Sequence, residues 1–150
     1  PGTEPKLSNI AYGTKAFALD PGRIYINQKG KYPEGTVPAD EYENITEELT
    51  TAFDSLQING RKAIRHIYRK DDVYSKPYLD QAPDLILIAE SGINLKGAMA
   101  AKQMTSKGPF TGKHTLDDAF LLINNPNSGD FFQNAPTVSK IGRYLKQITA

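Results

Sequence analysis

Asp84-Leu85-Ile86-Leu87-Ile88-Ala89 constrains the fold more than any other stretch of this chain. The run is too short for a core helix and of ordinary strand length, and Pro83 fixes where it begins. Aliphatic side chains at nearly every position mean that a solvated face would be costly. The run therefore reads as a buried strand around which other elements must pack.

The remaining elements follow in order. Ala16-Phe17-Ala18-Leu19 is a strand candidate stopped by the turn sequence Asp20-Pro21-Gly22, and Arg23-Ile24-Tyr25-Ile26-Asn27 reads as the second arm. A Gly/Pro-rich connector from Gly30 to Pro38 leads to a helix expected to open at Asp40, its cap, with Glu43 reaching back to complete a capping box. Tyr42, Ile45, Leu49, Phe53 and Leu56 recur at helical spacing, with Glu47-Glu48 on the wet side. Asn59-Gly60 is expected to end that helix.

Ala63 to Tyr68 reads as a strand, with Ile64, His66 and Tyr68 on one face and Ala63, Arg65 and Ile67 on the other. Residues 91–113 are rich in small residues and aperiodic, a length of connection that is usually functional or disordered. A buried strand is expected at 119–123, then an Asn/Pro/Gly loop and a last helix after Pro136-Thr137 with Val138, Ile141, Leu145 and Ile148 as its buried stripe. Strands broken by helices predict an α/β or α+β architecture with a mixed sheet and flanking helices. Residues 1–13 are expected to be a tail and 14–150 a single domain.

Bulk properties exclude more than they assign. A domain of 150 residues buries roughly 70% of its unfolded surface. A formal net charge of +1 supplies no whole-molecule field for nucleic acid or membrane. The absence of cysteine removes disulfides, thiolate zinc sites and cysteine nucleophiles. No apolar run approaches the roughly 20 residues that span a bilayer, so no membrane partner is expected and the expected compartment is the cytoplasm. The chain opens on Pro1 and holds only Met99 and Met104, which predicts an arbitrary cut from something longer. Pro1-Gly2-Thr3-Glu4-Pro5 reads as a loose tail rather than the start of a strand presenting a catalytic proline.

One stretch carries chemistry. Thr111-Gly112-Lys113-His114-Thr115-Leu116-Asp117-Asp118 is a polar loop leading into the apolar run Ala119-Phe120-Leu121-Leu122-Ile123, so a histidine and two carboxylates would stand at the lip of a rigid element. By itself a lone histidine is more often a hydrogen-bonded surface residue than a ligand.

Gly112-Lys113-His114-Thr115-Leu116-Asp117-Asp118-Ala119-Phe120 resembles the last metal-ligand motif of the alkaline phosphatase superfamily, in its type I phosphodiesterase/nucleotide pyrophosphatase branch. The likeness extends to Ala18–Gly30, to Tyr68-Arg69-Lys70-Asp71-Asp72-Val73-Tyr74, to Pro77-Tyr78, to Ala82-Pro83-Asp84-Leu85-Ile86-Leu87 and to Pro136-Thr137-Val138-Ser139. It covers most of residues 16–148 but only the C-terminal third of such an enzyme.

The resemblance implies the C-terminal part of an alkaline phosphatase-like fold and a hydrolase acting on a phosphate ester or nucleotide. It implies that His114 is one ligand of a divalent, two-zinc centre. Of Asp117 and Asp118 two readings stay open: one of them accepts the other imidazole N–H and fixes the metal-binding tautomer, or the pair belongs to a capped turn feeding the strand. The family's nucleophilic Thr or Ser, its early Asp ligand and its Asp-His-Gly block have no counterpart here, and no Asp-His pair exists in the sequence. No catalytic residue is therefore expected within this chain, which should be inactive alone. The choice between phosphate and sulfate esters stays open.

A second reading starts from Arg61, Lys62, Arg65, Arg69 and Lys70, with His66 and Tyr68 interleaved, as an anion- or nucleic-acid-binding strand. The plainer account is that these cations line a wet sheet edge and block edge pairing, so nucleic acid is not the expected partner. His66 likewise reads as structural. A third reading makes residues 91–113 a docking loop, and surface exposed by truncation would favour self-association.

Overall fold

The structure, a computed structural model, describes residues 11–97, 102–108, 120–124, 128–129 and 137–149. Contacts divide the chain into two units, Pro1–Lys113 and His114–Ala150.

In the first unit a four-stranded sheet is formed by β1 (Ala16–Asp20), β2 (Arg23–Ile26), β5 (Ile64–Arg69) and β6 (Leu85–Ala89), in the order β1-β2-β6-β5. The remaining elements are α1 (Tyr42–Asp54), the hairpin of β3 (Gln57–Ile58) and β4 (Arg61–Lys62), and α2 (Lys70–Val73). The buried run at 84–89 becomes the central β6, as its composition predicts. Every sheet pairing among the described residues is antiparallel. The architecture is α+β, and the expected mixed sheet is corrected to an antiparallel one.

The β1–β2 hairpin turns at Pro21-Gly22. Gly22 has φ 75°, and a Cβ there would meet the Leu87 carbonyl oxygen at 2.7 Å, so only glycine fits. Gly22 lets β6 come close enough for the Leu87 N–H to reach its carbonyl at 2.7 Å.

One face of the sheet is the core. Ile24, Ala63, Ile64, Leu85 and Leu87 cluster there, with Leu49, Phe53, Leu56 and Ile67 packed against them. Ile26, Val37 and Ile45 form a neighbouring cluster with Tyr42 and Leu49. The apolar stripe read from the sequence of α1 is thus the one that packs, while Glu47 and Glu48 are exposed. Ile93 and Leu95 also pack against the core, so the connector after β6 begins as part of the fold.

Several expectations are corrected. The capping box at Asp40 does not form: Ala39–Glu41 is a short 3-10 turn, and α1 has no side-chain cap. Glu43 pairs with Arg69 instead. The helix stops at Asp54, and Asn59-Gly60 is the turn of a hairpin, with φ 52° and 74° as a two-residue type I′ turn requires. Strand β5 does not alternate cleanly. Ile64 faces Ala89 and His66 faces Ile88, so Arg65 is an extra residue. This bulge sends Ile64 and Ile67 to the core and leaves His66 and Tyr68 exposed, their ring centroids 5.9 Å apart.

In the second unit, residues 120–124 form no strand, and Phe120 and Leu122 are 92% and 87% exposed. The expected buried strand is corrected there, because no ladder partner meets this run among the described residues. Helix α3 (Val138–Ile148) is capped by Thr137, whose hydroxyl accepts the Lys140 N–H at 3.3 Å. Its expected buried stripe is corrected in part: Val138, Leu145 and Ile148 are exposed, Ile141 is half-buried, and Tyr144 is the buried residue. No helix among the described residues is long and apolar enough to cross a membrane.

Candidate functional site

A carboxylate at the edge of an apolar strand has to find donors, because an unpaired buried charge is prohibitively costly. Asp84, preceded by Ala82-Pro83 and followed by Leu85-Ile86-Leu87, is 1% exposed. Three elements supply its partners. The Ile26 N–H of β2 donates to Oδ2 at 2.8 Å, while the Tyr42 hydroxyl of α1 and the Lys70 ammonium of α2 donate to Oδ1 at 2.9 Å and 3.0 Å. The backbone adds to the knot, with the Asp84 N–H on Ile24 O and the Lys70 N–H on Asp84 O.

The electrostatics follow from this packing. Burial lowers the Lys70 pKa, but Tyr42 and Asp84 outweigh it, so the net shift is upward. The ammonium also stands 5.0 Å from the centroid of the Tyr42 ring. Burial, with Asp84 beside it, raises Tyr42. Tyr32 is pushed up to about 12, first by burial and then by Asp84 and Tyr25. Tyr25 is raised by burial and by Asp20. Phe17 stacks on Tyr25 at 5.6 Å and meets Tyr32 edge-on at 5.1 Å. Around neutrality the group is thus a charged lysine and neutral phenols around a hydrogen-bonded carboxylate. That arrangement ties elements together.

Sequence reasoning assigned Asp84 only to a strand start and Lys70 only to a basic run. The signal that identifies the knot is the carboxylate itself, set among Ala, Pro, Leu and Ile where water cannot serve it.

The residues expected to carry chemistry stand as follows. His114, Asp117 and Asp118 lie outside the described residues. Among the described residues no three His, Cys, Asp or Glu side chains gather into a group able to hold a metal. His114 would add one imidazole, whereas catalytic zinc takes about three protein ligands. The donors among the described residues, with His114 added, do not make a complete centre.

The basic strand is largely neutralised from within. Lys62 meets Asp54 at 2.6 Å, Arg69 meets Glu43, and Lys70 meets Asp84 at 3.0 Å. At least three of its five cations are therefore ion-paired, which weakens the field a polyanion would need. His66 is exposed beside Tyr68 on the sheet face away from the core.

A second built feature is the loop between β2 and α1. Asn27, 3% exposed, donates from Nδ2 to Thr14 O at 2.8 Å and Glu34 O at 3.2 Å. Its main-chain carbonyl accepts the Thr36 and Val37 N–H groups. The Thr36 hydroxyl donates to Thr14 O at 2.8 Å, so the connector is a fixed clip. Compared with known proteins, the chain matches no family model, no curated protein and no solved structure.

Proposed function

We propose that this chain is the C-terminal portion of a metal-dependent phosphoric-ester hydrolase, of the phosphodiesterase or nucleotide pyrophosphatase kind and with an alkaline phosphatase-like fold, working in the cytoplasm. In this reading His114 supplies one ligand of a dizinc centre, and Asp117 or Asp118 orients its imidazole. The cation's contribution would be to stabilise the attacking and leaving oxygens of a phosphoryl displacement. The chain's own part is to supply one ligand.

The observation that supports the reading is where the resembling segments meet. Ala18–Gly30, Tyr68–Tyr74 and Ala82–Leu87 carry the likeness as separate stretches of sequence. Ile26, Lys70 and Asp84, one from each, are bonded together at a single buried carboxylate. Three of the stretches that carry the likeness are thus held together in one fold.

A zinc titration of the 150-residue chain by calorimetry tests the division of labour. Weak binding that His114→Ala abolishes is the expected result. Tight stoichiometric binding would mean a complete site within the chain and would overturn the proposal.

A further inference from the structure

We infer that Asn59 is a site of spontaneous backbone modification, deamidation through a cyclic imide with water as the only co-reactant. Of all the asparagines, Asn59 alone is followed by glycine. Both residues are exposed, at the tip of the β3–β4 hairpin. A glycine leaves the succeeding amide nitrogen unshielded, and at Gly60 the space a Cβ would occupy is open.

The step balances without any redox partner. The Gly60 backbone nitrogen, having lost its proton to hydroxide, attacks Cγ of Asn59. The new N–Cγ bond closes a five-membered ring, the Cγ–Nδ2 bond breaks, and the nitrogen takes a proton from water and departs as ammonia, which restores the hydroxide. Water then opens the ring at either carbonyl. Attack at Cγ gives aspartate, and attack at the main-chain carbonyl gives isoaspartate, in which the backbone runs through the former side chain.

Hairpin geometry controls the rate. With φ 52° at Asn59 and 74° at Gly60, the type I′ turn holds the backbone in the left-handed region rather than in the conformation that brings the Gly60 nitrogen onto Cγ of Asn59. The hairpin must open first. It has two pairs, Gln57 with Lys62 and Ile58 with Arg61, and its Lys62–Asp54 ion pair is solvated, so opening is local and cheap. Isoaspartate adds a methylene carbon to the turn, and Ile58 then cannot stand opposite Arg61. Aspartate keeps the backbone and places a carboxylate next to Arg61 and Lys62.

The experiment incubates the full chain in mildly alkaline buffer and locates mass gain by tandem mass spectrometry. Asn59 is expected to convert severalfold faster than Asn44 or Asn94, giving both aspartate and isoaspartate. Asn59→Gln, which must close a six-membered ring, is expected to stay unmodified at that position while the far-ultraviolet circular dichroism is unchanged. A folded chain in which Asn59 converts no faster than Asn44, while an unstructured peptide of residues 55–63 converts, would overturn the inference.

Discussion

The Lys70 ammonium lies 3.0 Å from the Asp84 carboxylate, whose side chain is wholly buried while that of the lysine is 19% exposed. This pair joins the start of α2 to the start of β6 and, through Tyr42 and Ile26, to α1 and β2. Asp84→Ala would strand a backbone N–H, a phenol and an ammonium together. The expected loss is about 3–5 kcal/mol of unfolding free energy, read from urea denaturation.

Arg69 and Glu43 form the contrasting pair. Both side chains are about half exposed, at 44% and 54%. Arg69→Met should cost less than about 1 kcal/mol in the same denaturation experiment, because solvent screens an ion pair at the surface.

The phenols make stability fall on the alkaline side. Tyr32 has its pKa raised from 10.0 to about 12 by burial. Between those values the unfolded chain has released this proton and the folded chain still holds it. The unfolded state binds fewer protons, so stability is complete below the ordinary phenol value and declines as pH rises toward 12. The raised pKa of Lys70 acts with the same sign. Tyr32→Phe should flatten the alkaline limb of the stability curve, and phenolate absorbance should show one tyrosine fewer titrating late.

Gly35 tests whether the clip after β2 is as tight as its hydrogen bonds imply. A Cβ there would fall 1.9 Å from the Gln28 carbonyl oxygen. Gly35→Ala therefore forces the loop apart, with an expected loss of about 1–3 kcal/mol visible as a lower melting temperature.

Much of the first unit was legible because its signals are local. Asp20-Pro21-Gly22 specified a turn, the 84–89 run specified a buried strand, and the Tyr42–Phe53 periodicity specified the packed face of α1. Asn59-Gly60 was misread because the same dipeptide serves a helix end and a hairpin, and only the partnering of Gln57 with Lys62 decides between them. The bulge at Arg65 was invisible because it depends on the register of β5 against β6. The Asp84 knot was missed for a similar reason: its donors lie 58, 42 and 14 residues away in the chain. The apolar residues at 120–122 and along α3 show that a strand or stripe pattern states what a segment can bury, and a partner surface must still be supplied.

The central claim is that His114 serves a metal-dependent phosphoric-ester hydrolase, and its most direct test is an assay of the longest native polypeptide that carries this sequence. Hydrolysis of a chromogenic phosphodiester would be followed with zinc present and after chelation, in the wild type and in His114→Ala. Activity that chelation removes is expected, with a loss of about a hundredfold in the variant. Zinc-dependent turnover that is equal in the two proteins, or no turnover of any phosphate ester by the folded wild type, would contradict it.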